Sequence, residues 1–391
     1  MEQSSVILAY LTALRKTVRR RLVTYGLFAV VAGGVSSLLT VIILDWLFFA
    51  LLVIQALSGA MFGYLRSIPL ALAGGVVVGL GESLLTKYGP SQGALIGVRS
   101  SFSFIVLFAV LVFYAVRGAG RGQARPVAQL ADRVRAAGTA RIARPADRAW
   151  ARVAIGCGVA LALVIPPAAS PSWRFTLAAT LPMVIVFLSM TVLTGYAGQI
   201  SLCQAAFAGV GSVTVARVVG DTGMSFWLVL PLAGLAAVPF GLAVGLPALR
   251  LGGLHLALLT LGFGLLVDNM IFNNLSVTRG GAGLQLSRPT LFGLSLASDL
   301  TYYYVLLLFV ALTVLLVHNL RMSPTGRALR AVQDSETGVR SVGLNPTAFK
   351  LAAFVLAAFL AGVGGALFTS VQGHFSALDF GMYQSLLILV T

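Results

Sequence analysis

The sequence predicts an all-α protein, a polytopic bundle of transmembrane helices with about 11–12 spans. Three observations predict it. Of 391 residues, 58% are hydrophobic and only 10% are charged, too few to give a soluble chain of this length a charged surface. The apolar residues gather in runs of roughly 17–25, the length that crosses a bilayer as a helix. The basic residues fall between those runs, where cytoplasmic loops carry them. A net charge of +16 could by itself suggest nucleic acid, but this distribution assigns the charge to membrane loops and removes that partner.

Four runs come first, at about 22–46, 47–65, 68–86 and 101–116, and define an N-terminal section over 1–116. Residues 117–152 follow as a basic linker with nine Arg against two Asp, read as a flexible cytoplasmic tether near anionic headgroups. The section 153–391 holds eight more runs, near 153–170, 174–194, 196–219, 226–249, 254–272, 302–320, 350–370 and 383 onward. The last has about nine residues before Thr391, too few to cross, so the sequence reads as cut short.

Charge sets the expected topology. With the cluster Arg15 to Arg21 in the cytoplasm and sides alternating at each span, 21 of the 27 basic residues fall on the cytoplasmic side. The other six are Lys87, Arg99, Arg174, Arg217, Arg279 and Arg288. This places the N-terminus of a multi-pass membrane protein in the cytoplasm. It leaves an external loop at about 273–300 and a cytoplasmic loop at about 321–349. The opening "MEQSSVILAYLTALRKTVRRR" reverses the order of a cleavable signal peptide. Cys157 and Cys203 sit inside apolar runs, as small packing residues do.

One stretch is unlike a lipid-facing helix. "TGYAGQISLCQAAFAGVGS", Thr194 to Ser212, holds four glycines, two glutamines, three Ser/Thr and a tyrosine. Small residues four apart (Ala205 with Gly209, Ala208 with Ser212) permit close helix approach. Gly59 with Gly63, Gly75 with Gly79 and Ala361 with Gly365 repeat the spacing. A helix interrupted near Gly195 and Gly198 would turn backbone groups and amides towards an aqueous path. The candidate path residues are Gly195, Tyr196, Gly198, Gln199, Ser201, Gln204 and Gly209.

The cytoplasmic loop "RMSPTGRALRAVQDSETGVRSVGLNPTAFK" reads as two short helices. Ser323 suits an N-cap with Pro324 at the first helical position. Leu329 and Val332 share one face, Arg327 and Arg330 another. Asp334 or Ser335 can cap a second helix with Glu336 in its first turn and Val339 and Val342 as its apolar face. Gly343 suits its C-terminal end, and Pro346 stops it. Two capped amphipathic helices in a loop fit an element that docks into a partner's groove.

The loop's "GRALRAVQDSETGVRSVGLN", with Lys350 beyond, resembles the coupling loop of ABC-importer permeases, in the version found in the branched-chain amino-acid permease family. Gly326, Arg327, Arg330, Asp334, Glu336 and Gly343 stand at matching positions. Thr337, Gly338 and Val339 replace the family's run of small residues. Thr194 to Gln199, Ser201 and Gln204 to Phe207 resemble the family's glycine-rich signature, with Cys203 where glycine is usual. "LPALRLGGLHLALLTLGFGLLVDNMIFNN" and "KLAAFVLAAFLAGVGGALFTSVQGHFSALDF" resemble two further family blocks, extending the likeness over about 174–391. Leu57 to Tyr88 resembles the end of the partner permease, which implies two fused permease sections.

The resemblance implies a transmembrane permease subunit of an ATP-driven importer, for branched-chain (hydrophobic) amino acids or, alternatively, urea and short amides. It implies as partners ATP-binding subunits, as two copies or two paralogues, and an extracytoplasmic solute-binding protein. A second permease is a further partner it leaves open. The chain has no G-x-x-x-x-G-K-[ST] loop, so ATP hydrolysis falls to the partners and the chain is read as no enzyme. An ion-coupled secondary transporter would need a titrating carboxylate inside a span. Asp45, Glu82 and Asp268 all fall near external span ends. An intramembrane enzyme would need clustered catalytic groups, and His255, His318 and His374 lie apart. No metal and no cofactor is expected.

Overall fold

The structure is a computed structural model. It describes residues 58, 61, 68–88, 96–117, 156, 158, 160–274, 278, 284–291, 294–295 and 298–381. The predicted spans at 22–46 and from 383, most of that at 47–65, most of the linker, Asp45 and the Gly59–Gly63 pair lie outside these residues. All described residues belong to the unit Ser58–Thr391.

Helices make up nearly all of it. In chain order they are α1 Ile68–Tyr88, α2 Ile96–Arg117, α3 Pro171–Met190, α4 Gln204–Thr222, α5 Phe226–Ala248 and α6 Leu254–Val267. Then come α7 Asp299–Met322, α8 Pro324–Asp334, α9 Glu336–Ser341 and α10 Pro346–Gln372. Two π-helical turns extend α3 (Thr191–Tyr196) and α6 (Asp268–Phe272). Among the described residues five helices are long and apolar enough to cross a membrane: Pro171–Tyr196, Phe226–Ala248, His255–Phe272, Asp299–Met322 and Pro346–Gln372. Pro69–Leu85 and Ser101–Arg117 are shorter apolar helices. An all-helical bundle is the form a chain takes where lipid offers its backbone no hydrogen bonds.

The core is organised around α10, whose small residues let three helices approach closely. A Cβ added to Gly364 would stand 2.8 Å from Val186 of α3, and one on Gly241 of α5 would stand 2.7 Å from Ala358. The α4 contact is tighter still. A Cβ on Gly365 would come within 1.9 Å of the Ala208 carbonyl oxygen, and one on Gly211 within 2.1 Å of the Gly362 carbonyl oxygen. The crossing uses Ala208 with Gly211 and Gly362 with Gly365, three apart, rather than the four-apart pairs expected from the sequence. Gly75 and Gly79 meet nothing within 4 Å, and their helix α1 exposes Leu70, Leu72, Val76, Leu80 and Leu84.

The bundle has two distinct ends. At one, the Arg250 guanidinium after α5 donates to the Ala115 and Val116 carbonyls at the end of α2. Gly245 of α5 lies against Leu351 and Phe354 at the start of α10, and α8 and α9 sit at the same end. Arg117, Arg250, Arg321, Arg327, Arg330, Arg340 and Lys350 therefore share this basic end, as alternation of the spans requires. The opposite end carries the loop after α6. There β1 (Leu284–Gln285) pairs antiparallel with β4 (His374–Phe375), and β2 (Thr290–Leu291) with β3 (Leu294–Ser295). The Trp227 indole at the start of α5 donates to the Thr290 carbonyl, and Arg288 pairs with Asp299 at 2.6 Å. Glu82 is half-buried and accepts from the Ser103 hydroxyl, joining α1 to α2. Asp268 is half-buried at the first residue of its π turn, where its Oδ1 accepts from Asn273.

Candidate functional site

The span expected over 196–219 is not a continuous helix. The π turn ends at Tyr196, the chain runs non-helically from 198 to 203, and α4 begins at Gln204. Its contacts with α6 show that the non-helical part covers real depth. Leu202 donates its N–H to the Thr260 hydroxyl at 3.0 Å, and Leu202 and Cys203 lie beside Gly264. Phe207 then packs on Phe263 with ring centroids 6.4 Å apart, and Gly209 reaches Phe272 at the far end of the π turn. The chain thus rises along α6 from the basic end, first as loop, then as helix. Irregular backbone at such depth stands only where protein buries it or water lines it.

Local chemistry explains the break. Gly198 adopts φ +65°, a conformation an L side chain resists. The Gln199 N–H reaches back to the Leu193 carbonyl at 3.1 Å, and the Thr194 hydroxyl donates to the Gln199 carbonyl at 3.3 Å. The buried Ser201 hydroxyl accepts from the Cys203 N–H and lies 3.3 Å from the Cys203 sulfur. Cys203 occupies the N-cap of α4 and gives no side-chain cap bond.

The candidate path residues separate into distinct settings. Gln199, Ser201 and Gln204 are buried inside the bundle. The Ser189 hydroxyl of α3 donates to Gln204 Oε1 at 3.1 Å, while Gln204 Nε2 is buried with no hydrogen-bond partner among the described residues. Gly195 is exposed near the basic end, and Gly198 is exposed beneath α8. Tyr196 packs with Leu320, Leu356 and Phe359 around Val192, Val317 and Leu360, an apolar setting. Gly209 faces the Phe272 ring, where an added Cβ would meet it at 2.2 Å. Ser189 and Thr260 escaped the sequence reading, since a single hydroxyl in an apolar helix has no pattern that marks it.

The loop segment at 323–345 lies directly below this span. Ser323 caps α8 by accepting from the Gly326 N–H, Ser335 caps α9 by accepting from the Gly338 N–H, and Asn345 caps α10 at Thr347. Leu329, Val332 and Val339 are buried, and α8 lies against α7, α10 and the π turn of α3. Gly326 fits tightly over the end of α7, where a Cβ would meet the Leu320 carbonyl oxygen at 2.0 Å. Arg330 donates to the Arg321 carbonyl at 2.6 Å, and the exposed Arg327 donates to the Met322 carbonyl at 3.1 Å. Asp334 ends α8 and is exposed. Gly343 closes α9 at φ +83°. Val342 departs from the sequence reading: it is 77% exposed and points away from the face that Val339 buries. It follows α9, where the helix has ended and the 3.6-residue spacing no longer applies.

Two further side-chain contacts tie the segment to the bundle. Glu336 is bonded by the Lys350 ammonium, with Arg340 at 3.7 Å on its other oxygen. Gln333 of α8 rests on Gly198, where an added Cβ would stand 2.8 Å from its Cγ. Sequence spacing could not show this contact between positions 135 residues apart. Among the described residues no three His, Cys, Asp or Glu side chains are grouped to hold a metal ion.

Comparison with known proteins meets the same segments. A family model described as branched-chain amino acid transport system / permease component matches residues 174–391, from α3 to the C-terminal residue. The high-affinity branched-chain amino acid transport system permease protein LivM of Salmonella typhimurium is 36% identical over 234 residues, 54% of this chain and 55% of that protein. LivM of Escherichia coli is 36% identical over 237 residues, 54% of this chain and 56% of that protein. The chain spans about half the length of the curated relatives it matches. No solved structure matches it. With more than half its residues inside the family match and a helical membrane bundle around them, this chain belongs to the permease-component family of branched-chain amino acid transport systems.

Proposed function

We propose that the chain forms the membrane passage of an ATP-driven importer whose solute is a branched-chain, hydrophobic amino acid. It would act as a transport permease and not as an enzyme. Separate ATP-binding subunits would dock on α8 and α9, and an extracytoplasmic solute-binding protein would deliver solute to the loop end. In this reading the basic end faces the cytoplasm of a bacterial inner membrane, and the linker 117–152 lies on that side.

One observation carries the proposal: the partly buried, non-helical stretch of a broken span lies directly on the compact helical segment formed by α8 and α9. A discontinuous span can offer backbone groups and buried amides to a polar solute at membrane depth. Gln199, Ser201, Gln204 and Ser189 are those groups here. The external segment supplies a place for force to enter. Alternating access follows when the docked subunits close, move α8 and α9, and rearrange the broken span against α6 and α10.

The test is uptake of labelled leucine by proteoliposomes holding the chain with candidate ATP-binding subunits inside and a binding protein outside. Uptake that requires internal ATP supports the proposal. Uptake of urea or a short amide in preference to leucine would overturn the solute assignment. Uptake driven by a proton or sodium gradient without ATP would overturn the importer reading.

A further inference from the structure

We infer that Gln333 is a positioning residue that passes movement of the coupling segment directly into the non-helical stretch at 198–203. The inference rests on the importer reading above. Gln333 stands on the last turn of α8, and its methylenes lie against Gly198. A Cβ at 198 would be 2.8 Å from Gln333 Cγ and 3.5 Å from Gln333 Cβ. Gly198 holds φ +65°, so this contact falls on the hinge-like residue that starts the break.

The segment's other ties, Glu336 to Lys350 and the packing of α8 on α7 and α10, lead into helices instead. Lys350 belongs to α10, a continuous helix of 27 residues wedged by backbone-close contacts to α3, α4 and α5. Such a rod moves as a body. The stretch 198–203 has no helical ladder and is held by isolated bonds: Gln199 N–H to Leu193, Leu202 N–H to Thr260, and Thr194 to the Gln199 carbonyl. A segment with few backbone bonds yields first under load. It leads straight to Gln204, whose amide nitrogen is buried at the start of α4 with no partner among the described residues. A shift of α8 also presses on α7 and α10, but through Gln333 and Gly198 it enters the non-helical stretch that leads to the buried amides directly.

The test compares Gln333→Ala, Gln333→Met, Gly198→Ala and the double Gly198→Ala/Gln333→Ala, each assembled with the ATP-binding subunits and solute-binding protein. The readout is leucine transported per ATP hydrolysed, with complex yield measured alongside. Gln333→Ala lowers that ratio roughly threefold or more while assembly stays intact. Gln333→Met preserves it, because the packing methylenes remain. The double variant recovers part of what Gly198→Ala loses, since a methyl at 198 then meets the Cβ at 333 at 3.5 Å. An unchanged ratio in Gln333→Ala overturns the inference, as does Gln333→Met behaving like Gln333→Ala. Gln333 is partly exposed, so a simple folding failure is not expected from its truncation. Failure of the unmodified chain to couple leucine uptake to ATP overturns the importer reading instead, and shows before any variant is compared.

Discussion

Lys350, near the start of α10, turns back to the Glu336 carboxylate that opens α9. The ammonium side is the more buried of the two, with side-chain exposures of 11% and 44%. Losing the carboxylate strands a buried cation, whereas the exposed Arg340 loses little. Glu336→Arg is therefore expected to destabilise the detergent-solubilised protein by about 1–3 kcal/mol. The swapped pair Glu336→Lys/Lys350→Glu should recover most of that. Thermal unfolding followed by size-exclusion chromatography checks both.

Arg327 behaves differently because nothing in the bundle depends on its charge. It is exposed and only touches the Met322 carbonyl. Arg327→Glu should change stability by no more than about 0.5 kcal/mol. Co-purification with ATP-binding subunits should nonetheless fall. A variant that unfolds, or one that binds those subunits normally, would remove Arg327 from the docking surface.

Glycines with the same sequence pattern should diverge on substitution. Gly365→Ala drives a methyl into the Ala208 carbonyl across a backbone-to-backbone crossing, so folded yield should collapse. Gly75→Ala meets nothing within 4 Å on an exposed position of α1. It should be tolerated or stabilising, by up to about 1 kcal/mol from helix propensity. Expression of each variant and its melting temperature decide the matter.

The Ser189–Gln204 bond predicts a split between stability and transport. Ser189→Ala leaves Gln204 Oε1 without its donor, at a cost of about 1 kcal/mol. Gln204→Leu removes a buried amide nitrogen that has no partner among the described residues, so stability should hold or rise while leucine uptake falls. Equal uptake by Gln204→Leu and the unmodified chain would take Gln204 off the path.

Much of this architecture was legible in the sequence because it depends on local rules. Ser323 before Pro324 marks the cap of α8 and makes the bond, and of the two candidates for the cap of α9, Asp334 and Ser335, it is the Ser335 hydroxyl that bonds. Arg117, Arg250, Arg321, Arg327, Arg330, Arg340 and Lys350 gather at one end because loop charge follows the alternation of spans, although Arg288 lies at the other. The break at 198–203 was only half legible. Gly195 and Gly198 signalled an interruption, but Ile200 and Leu202 kept the stretch apolar enough to count as part of a span. The contacts that join segments were not legible. Gln333 on Gly198 and Glu336 with Lys350 are set by tertiary packing, and Val342 is freed by the end of a six-residue helix.

The most direct test of the account is leucine uptake against ATP in proteoliposomes with the ATP-binding subunits and solute-binding protein assembled on the unmodified chain. Uptake should need internal ATP, fall when Arg327→Glu weakens docking of those subunits on α8 and α9, and ignore an imposed proton or sodium gradient. Uptake that follows the ion gradient and persists without ATP would contradict it.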